Sequence, residues 1–244
     1  MSNTTYIGGW HAVLAALESE VLPLEVYISD GRSGERAAQI SKVAAAKSVP
    51  VRARSRSDLD VLAPGLRHQG VLAMVPAASI GGEEALEVPA TPDRLVLMLD
   101  GIQDPHNLGA CLRTSEAAGV TAVVIPKDRA VSLTPAARKV AAGAAERVPV
   151  VAVTNIVRSM KRLQELGYWI TGLAGEATES LYDVDLTGPT VLVMGSEGEG
   201  LRRLTRENCD RLAKIPMQGQ IESLNVSVAA GICLFESVRQ RQTR

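Results

Sequence analysis

The residues best suited to chemistry lie in the segment 215–235, where Ser223 and Asn225 directly precede an apolar run at 226–235. That run is apolar nearly all round, and a helix without a polar face is buried by protein on most sides. Ser223 and Asn225 would then place two small hydrogen-bonding side chains at the mouth of a buried site, on a rigid support. The alternative is purely structural, because Ser and Asn are also favoured residues for capping a helix N-terminus.

A second candidate segment, M-G-S-E-G-E-G-L at 194–201, is rich in glycine and acid. Gly195 and Gly200 have the spacing of a phosphate-binding P-loop, but the Lys and Ser/Thr that should follow are missing, and Glu197 and Glu199 would repel a phosphate. Three glycines in six residues indicate that the backbone approaches something closely or takes positive φ. The loop therefore suits an uncharged or cationic ligand; alternatively, it is a tight turn with solvated acids.

The third candidate segment spans 100–119 and contains D-P-H-N-L-G-A-C-L-R. Asn107 is predicted to cap a helix that runs to about residue 117, and Arg113 lies within that helix. The structural alternative is that Asn107 only caps and that Arg113 pairs with Glu116 at i+3. His106 has no second ligand near it in the sequence, so a metal site is not indicated.

The elements that position these segments are apolar runs separated by helical patterns. The runs lie at 95–99, 122–125, 148–153, 169–173, 190–194 and 212–215, with helices predicted at 134–146 and 155–166. Continuous apolar strands alternating with helices indicate a parallel sheet covered on both faces. In such sheets the site lies outside the carboxyl ends of the strands, which is where the three candidate segments begin.

The N-terminal part has its own pattern. Helices are predicted at about 8–19 and 35–47, and strands at 24–28, 49–53 and 71–75. The segment 76–93 has three prolines, two adjacent glycines and four acids, a composition typical of a linker rather than of a packed element. The sequence therefore predicts a small α/β domain at 1–75, a linker at 76–93 and a larger α/β domain at 94–244.

The composition excludes several classes of protein. Aromatic residues make up only 3% of the chain, so the core consists of Val, Leu, Ile and Ala, which suits sheets covered by helices. The three cysteines, Cys111, Cys209 and Cys233, are far apart and form no C-x-x-C pair, which argues against a disulfide framework and a zinc site. Residues 1–20 lack the pattern of a signal peptide, and no stretch has the length of a membrane span. We therefore expect a soluble, cytoplasmic protein without a membrane partner.

Any contact with nucleic acid must come from a local patch, because the formal net charge is −1. The segment 47–57 contains four basic residues and no acid: Lys47, Arg52, Arg54 and Arg56. On a strand, positions 52, 54 and 56 share one face and would form a stripe that could follow a phosphate backbone. Alternatively, the charges protect a solvated edge strand from pairing with other chains.

Taken together, N-L-G-A-C-L-R at 107–113, M-G-S-E-G-E-G-L at 194–201 and I-P-M…S-L-N-V-S-V-A-A-G at 215–231 closely resemble the three signature motifs of one family. This is the SpoU (TrmH) family of S-adenosylmethionine-dependent RNA ribose 2′-O-methyltransferases. Y-I-G-G-W-H-A-V near the start and H-Q-G-V at 68–71 most resemble the branch that methylates a guanosine in the peptidyl-transferase loop of large-subunit rRNA.

The resemblance implies an architecture that the periodicity does not. The C-terminal half would be an α/β sheet whose last segment threads a loop to form a deep trefoil knot, and the first 75 residues would be an L30e-like RNA substrate-binding domain. The apolar helix after Asn225 would be the knotted helix that forms an obligate homodimer. The knot loops would hold S-adenosylmethionine through backbone near six positions: Leu173, Gly195, Gly200, Ile215, Met217 and Leu224.

The resemblance also assigns catalytic roles. The family's proposed catalytic residue corresponds to Arg113, and its supporting set to Asn107, Glu197, Ser223 and Asn225. A guanidinium stays protonated in proteins, so we interpret Arg113 as a group that binds the adjacent phosphate and stabilises the developing alkoxide rather than as a base.

Other functions remain open at this point. They are a tRNA ribose target, or a catalytically silent RNA-binding protein of ribosome assembly; for an rRNA target, the substrate is either naked RNA or a partly assembled large subunit. A nucleotide- or NAD-dependent enzyme is disfavoured, because neither the P-loop nor the dinucleotide-binding glycine pattern is present.

Overall fold

The computed structural model describes residues 4–18, 22–31, 34–76, 80–128, 130–221 and 223–243. The chain forms two compact units, Met1–Ser79 and Ile80–Arg244. The first unit ends close to the predicted domain end at residue 75. Residue 19 of the first predicted helix and residues 77–79 of the predicted linker lie outside the described residues.

The first unit is a four-stranded mixed sheet with helices on both faces. Its elements are β1 (Thr4–Gly8), α1 (Trp10–Glu18), β2 (Glu25–Ser29), α2 (Glu35–Ala46), β3 (Val51–Arg54), α3 (Arg56–Leu62) and β4 (Val71–Pro76). The strand order is β1-β4-β2-β3, in which only the pair β2–β3 is parallel. Apolar residues of α1 and α2 pack on one face of the sheet, and residues of α3 pack on the other. Neither β1 nor α3 was predicted from the sequence.

The end of β3 corrects one prediction. Ser55 is the N-cap of α3: its hydroxyl accepts a hydrogen bond from the Asp58 N–H at 3.1 Å, and the Asp58 carboxylate accepts one from the Ser55 N–H. This reciprocal capping box stabilises the first turn of a helix. The prediction that positions 52, 54 and 56 share one strand face was therefore wrong for Arg56, which is the first residue of α3.

The second unit contains a seven-stranded sheet. Its paired neighbours all run parallel, as predicted, but the strand Glu179–Ser180 was not predicted. Its elements are β5 (Leu95–Asp100), α4 (Pro105–Ala117), β6 (Ala122–Pro126), α5 (Pro135–Ala141), β7 (Val150–Val153), α6 (Ile156–Glu165), β8 (Trp169–Leu173), β9 (Glu179–Ser180), β10 (Thr190–Gly195), α7 (Arg203–Glu207), β11 (Arg211–Lys214) and α8 (Val226–Gln242). The strand order is β7-β6-β5-β10-β8-β11-β9.

Helices cover both faces of this sheet, which explains its continuous apolar strands. Leu95, Leu97 and Leu99 of β5 pack into a core shared with α4, α5 and α8, whereas Val96 and Met98 pack into a core shared with α6. Successive side chains of a strand point to opposite faces, so a strand buried on both faces has no polar alternation. The sheet consequently leaves its strand ends, rather than its faces, available for a site.

Residues 80–93, which were predicted to belong to a linker, are part of the second unit. The Gly81 N–H donates to the Val150 carbonyl at 2.8 Å, and a short 3-10 helix, Glu83–Leu86, follows. The Leu86 side chain is buried, and the Glu83 carboxylate pairs with Arg158 of α6 at 2.8 Å. Two of the acids that suggested a linker, Glu83 and Glu87, thus pair with arginines of α6.

The last helix, α8, is anchored at its C-terminal end by one arginine. The Arg241 guanidinium donates to the carbonyl oxygens of Leu186, Gly188, Asp93 and Arg94 at 2.8–3.1 Å. Burial lowers the pKa of Arg241 from its ordinary value. Four carbonyl acceptors compensate for this loss of solvation. The arginine thus joins the end of α8 to the loop before β10 and to the segment that leads into β5.

The apolar body of α8 is less buried than its sequence indicated. Ala230, Cys233 and Leu234 are buried against the sheet, but Val228 and Phe235 are 51% and 48% exposed. Residues seven apart lie on the same side of a helix. The helix therefore leaves an apolar strip outside the core of its own unit.

Candidate active site

The three candidate segments follow strands that lie close together in the sheet. The loop before α4 follows β5, the glycine-rich loop follows β10, and the segment 215–225 follows β11. Strands β5, β10, β8 and β11 are consecutive neighbours and parallel, so their carboxyl ends meet at one edge. Loops at this edge of a parallel sheet form the ligand sites of open α/β folds.

One residue from each segment meets at this edge, and we call Asn107, Glu197 and Asn225 the Asn–Glu–Asn cluster. Glu197 Oε1 accepts hydrogen bonds from Asn107 Nδ2 at 2.9 Å and from Asn225 Nδ2 at 2.8 Å. Asn107 Oδ1 accepts a further bond from Asn225 Nδ2 at 3.0 Å. A carboxylate only accepts and an amide nitrogen only donates, so these bonds define the orientation of both amides.

Asn107 takes part in the cluster because another residue caps its helix. Asp104 is the N-cap of α4 and accepts a hydrogen bond from the His106 N–H at 2.8 Å, while Pro105 occupies the first helical position. The prediction that Asn107 caps the helix was therefore wrong. Its side chain, only 7% exposed, projects from the first turn and bonds to Glu197.

Asn225 both caps a helix and takes part in the cluster, the two roles that the sequence left open. It is the N-cap of α8, because its Oδ1 accepts from the Ser227 N–H at 3.0 Å and from the Ser227 hydroxyl at 2.6 Å. Its Nδ2 remains available and donates to Glu197 and Asn107. The start of α8 is thereby fixed to the other two segments through one side chain.

The glycines of the second segment allow its loop to fold back on itself. A Cβ atom at Gly195 would lie 2.0 Å from the carbonyl carbon of Gly200. Ser196 and Gly200 exchange two backbone hydrogen bonds at 3.0 and 3.1 Å, and Gly198 and Gly200 have positive φ. Only glycine takes such conformations at little cost. The resulting turn directs Glu197 towards the two amides.

Arg113 and Ser223, the other two predicted catalytic residues, are exposed. Within the described residues, no hydrogen bond or ion pair joins either of them to the Asn–Glu–Asn cluster. The alternative pairing of Arg113 with Glu116 does not occur, because Glu116 pairs with Arg147 at 3.2 Å. Arg113 thus presents from α4 a guanidinium that has no ion pair among the described residues.

The positions predicted to hold a cofactor lie at the same edge of the sheet. Leu173 and Gly195 end β8 and β10, and Gly200 closes the glycine-rich turn. Ile215, Met217 and Leu224 belong to the segment after β11, whose described residues form neither helix nor strand. Main-chain polar groups that no ladder uses require other partners, so this segment can offer N–H and C=O groups to a ligand. Main-chain groups with apolar side chains suit a ligand without phosphate.

A buried carboxylate that was not predicted from the sequence as part of the site lies directly behind these loops. Asp100, at the end of β5, is 1% exposed and is the register neighbour of Gly195. Its Oδ2 accepts from the Thr205 hydroxyl at 2.6 Å, and its Oδ1 lies 3.3 Å from Arg202 Nε. An acid at the end of an otherwise apolar strand was the available signal. Its contacts fix the segment after the glycine-rich turn to the end of β5.

The cysteines and metal-binding residue types contribute little to chemistry at this site. Burial raises the pKa of the thiols of Cys111, Cys209 and Cys233 to about 12, so they stay protonated near neutral pH. Across the part of the chain that the structure describes, no group of three or more His, Cys, Asp or Glu side chains could hold a metal ion. In the same part, no helix is long and apolar enough to cross a membrane.

The predicted RNA-binding residues lie at the edge of the first unit. β3 is an edge strand, and all four of its residues are exposed. Arg52 pairs with Glu25, and the Arg54 guanidinium lies 6.0 Å from the ring centroid of Tyr27. Lys47 and Arg56 are exposed and have no ion pair among the described residues. The four cations therefore differ in how much of their charge is compensated.

A parallel α/β unit with three polar loops at one edge, together with a small mixed α/β unit, defines the class of this protein. The chain belongs to the SpoU rRNA Methylase family, whose model matches residues 94–235. A second model, described as RNA 2′-O ribose methyltransferase substrate binding, matches residues 6–80. The first match lies within the second unit, and the second match covers the first unit and extends one residue beyond it.

Particular relatives are similar along the whole chain. A 23S rRNA (guanosine-2′-O-)-methyltransferase RlmB from Pseudomonas putida is 52% identical and covers 100% of both chains. A protein of the same name from Xanthomonas campestris is 54% identical over 97% of this chain and 96% of its own length. The crystal structure of the SpoU methyltransferase AviRb from Streptomyces viridochromogenes, in complex with its cofactor AdoMet, has a TM-score of 0.79 at 23% identity. It covers 99% of this chain and 92% of that one, and this likeness shows the shared fold.

Proposed function

We propose that this protein methylates the 2′-hydroxyl of a guanosine ribose in 23S rRNA, with S-adenosylmethionine as methyl donor. The observation that carries the proposal is the Asn–Glu–Asn cluster, in which each of the three family motifs supplies one side chain. The supporting observation is the full-length similarity to relatives named for this activity.

Bound S-adenosylmethionine supplies an activated methyl group on a cationic sulfonium. The residues suited to hold it are Leu173, Gly195, Gly200, Ile215, Met217 and Leu224, which offer main-chain groups and apolar side chains without a phosphate-binding lysine. A Cβ atom at Gly195 would displace the loop that these positions flank. This donor set fits an adenosine and an amino-acid moiety better than a polyphosphate.

The chain's own side chains must orient the ribose hydroxyl and compensate for charge. Glu197 Oε1 already accepts from both asparagine amides, whereas no partner of Oε2 lies among the described residues. Oε2 is therefore available to accept a hydrogen bond from the 2′-hydroxyl or from a guanidinium. Ser223 supplies a further hydroxyl at the mouth of α8.

Arg113 has the chemistry needed on the substrate side. Its guanidinium stays charged, has no ion pair among the described residues, and can bind a phosphate through two parallel hydrogen bonds. We assign it to the phosphate next to the target ribose, where its charge stabilises the alkoxide that develops during transfer. Asn107, Glu197 and Asn225 hold the neighbouring loops in position for this contact.

We further propose a homodimer in which α8 forms the interface and the partner subunit completes the site. The apolar strip of Val228 and Phe235 is exposed on the helix that begins at the cluster. A contact through this strip would place a second subunit near the site. The family resemblance also implies that the segment leading into α8 is threaded as a trefoil knot. Because the proposed substrate is rRNA, we infer that the protein acts in the cytoplasm.

The direct test is to map 2′-O-methylation in a strain that lacks the gene. The proposal predicts the loss of one guanosine mark from 23S rRNA, restored by the wild-type gene but not by a Glu197→Ala variant. Loss of a tRNA mark would redirect the substrate, and unchanged marks would leave a silent RNA-binding protein. Methylation in vitro of naked 23S rRNA and of large-subunit precursors then identifies the substrate particle.

A further inference from the structure

The first unit contains a cavity of about 460 Å³ that lies outside the candidate active site. Sites for small ligands measure roughly 300–1,000 Å³, so the cavity is large enough for one such group. The lining residues that matter here are Trp10, Arg36, Arg56, Arg67, His68 and Gln69. Arg52 and Arg54 of the predicted RNA-binding stripe are not among the lining residues.

Two glycine-containing segments that are far apart in sequence build this cavity. A Cβ atom at Gly8 would lie 2.9 Å from Leu66 Cδ2 and 3.0 Å from His68 Cα, so only glycine lets the segment 66–68 lie so close to β1. The Gly9 N–H donates to the Val71 carbonyl at 3.2 Å. Through these contacts, the segments G-G-W at 8–10 and H-Q-G at 68–70 pack against each other and form one structural unit.

Two contacts of its ring hold His68 in the wall of the cavity. Its Nδ1 accepts a hydrogen bond from the Gly70 N–H at 3.0 Å, so the ring proton lies on Nε2, which faces Asp60 Oδ1 at 2.9 Å. The side chain is 3% exposed. Because Asp60 Oδ1 faces His68 Nε2, one oxygen of the Asp60 carboxylate already has a partner in the cavity wall.

Gln69 is held in a costly conformation next to His68. Its φ of 55° lies in the left-handed region, which is unfavourable for a non-glycine residue. The residue is exposed, so its amide faces solvent rather than packing into the core. Such strain persists where the surrounding structure imposes it, and it concentrates at functional sites. The amide can donate and accept at once, as the edge of a nucleobase requires.

The charge of the cavity points to an anionic ligand. Arg36, Arg56 and Arg67 are exposed, and none has an ion pair among the described residues. The stripe on β3 differs, because Arg52 pairs there with Glu25. Guanidinium groups recognise phosphate oxygens through paired hydrogen bonds. Trp10, which is 8% exposed, adds a small apolar surface to this cationic rim.

We propose that this cavity receives one unpaired nucleotide of the substrate rRNA, at a point separate from the methylated ribose. Gln69 reads the edge of its base, and Arg36, Arg56 and Arg67 bind the flanking phosphates. Proteins that recognise RNA sequence bind mainly to unpaired bases, which can turn out of the stack. This inference rests on the proposed function, since it assumes an rRNA substrate.

The test measures binding of deproteinised 23S rRNA, taken from a strain without this gene, by filter binding at several salt concentrations. Arg67→Ala is expected to weaken binding about tenfold and to reduce the slope of log affinity against log salt by about 1. Gln69→Gly is expected to weaken binding about fivefold or more without changing the slope. Glycine suits the positive φ, so this variant should fold at least as well as the wild type.

The matched control is Lys42→Ala, which removes one exposed charge from α2 of the same unit outside the cavity lining. Its binding is expected to stay within twofold of the wild type. The proposal is overturned if Arg67→Ala and Gln69→Gly also stay within twofold, or if Lys42→Ala weakens binding as much as Arg67→Ala. Failure of the proposed function would appear separately, as absent methylation and absent S-adenosylmethionine binding by the wild type.

A kinetic measurement separates substrate capture from chemistry. With saturating S-adenosylmethionine, both cavity variants should raise KM for 23S rRNA and leave kcat within about twofold, because the two residues line a cavity of the first unit and are not among the candidate active-site residues. Their Kd for S-adenosylmethionine should equal that of the wild type. A fall in kcat with unchanged KM would overturn the assignment of these residues to RNA capture.

Discussion

Asn107 and Glu197 lie 90 residues apart in the chain, yet Asn107 Nδ2 donates a hydrogen bond to Glu197 Oε1 at 2.9 Å. The same oxygen accepts from Asn225 at 2.8 Å. One carboxylate therefore ties together the loops that follow β5, β10 and β11. Because Glu197 is exposed to solvent, its hydrogen bonds add little to folding stability. We infer that they position the loops of the site.

The first prediction concerns this shared carboxylate. Glu197→Ala removes the carboxylate that accepts hydrogen bonds from both asparagine amides. Because hydrogen bonds to a charged group contribute more than neutral ones, we expect kcat for rRNA methylation to fall about 100-fold. Glu197→Gln keeps one acceptor oxygen and should fall less. Thermal unfolding should show little change in Tm for either variant. The control is Glu199→Ala in the same loop; equal losses for both positions would contradict a specific role for Glu197.

The second prediction concerns the chemistry of Arg113. Arg113→Lys keeps the positive charge but loses the planar fork that binds a phosphate through two bonds. We expect the single-turnover rate of methyl transfer to fall about 100-fold while the affinity for S-adenosylmethionine stays unchanged. Arg203→Lys, at an exposed arginine of α7 that pairs with Glu207, is the control. A near wild-type rate for Arg113→Lys would remove the bidentate role.

The third prediction concerns the glycine-rich turn. Gly195→Ala places a methyl group 2.0 Å from the carbonyl carbon of Gly200, so the backbone of the turn must move. We expect the affinity for S-adenosylmethionine to fall at least tenfold, measured by isothermal titration. Gly188→Ala is the control, because a Cβ atom there meets nothing within 4 Å. Unchanged affinity for Gly195→Ala would show that the cofactor does not use this turn.

The large sheet was predicted well from the sequence because the signal of each strand, a run of apolar residues, is local in the chain. A strand covered on both faces is a continuous apolar run, and the runs at 95–99 and 190–194 match β5 and β10 to within one residue. By contrast, α3 has few apolar residues and begins at a capping box, Ser55 with Asp58, that was not recognised. Proline and acidic residues at 80–93 suggested a linker, although Leu86 is buried and Glu83 is paired.

The site was predictable only as a set of residue types. Motif resemblance singled out Asn107, Glu197 and Asn225, but no periodicity indicates that their side chains bond to each other, because such contacts join positions far apart in the chain. Asp100 was missed for the same reason, since its partner Thr205 follows about a hundred residues later. The cavity of the first unit depends on close packing at Gly8, which the sequence alone does not reveal.

The fourth prediction concerns three arginines of the first unit, Arg52 and Arg54 on β3 and Arg56 at the start of α3. Removing Arg52, Arg54 and Arg56 together should weaken binding of 23S rRNA and flatten its salt dependence. We expect Arg56→Ala alone to account for most of the loss, because Arg52 is already paired with Glu25 and Arg54 lies against Tyr27. Filter binding at several salt concentrations measures both effects. Unchanged binding by the triple variant would exclude all three arginines as RNA contacts.

The fifth prediction concerns the apolar strip of α8. Val228→Glu combined with Phe235→Glu places two like charges on the strip that we assign to the homodimer, and a buried charge without a partner is strongly unfavourable. We expect light scattering after size exclusion to show a dimer for the wild type and a monomer for the variant, with methylation lost in parallel. Val61→Glu, at a position that is 77% exposed in the first unit, is the control and should leave the dimer intact. A variant that stays dimeric would place the interface elsewhere, whereas a folded monomer with full activity would show that one subunit forms a complete site.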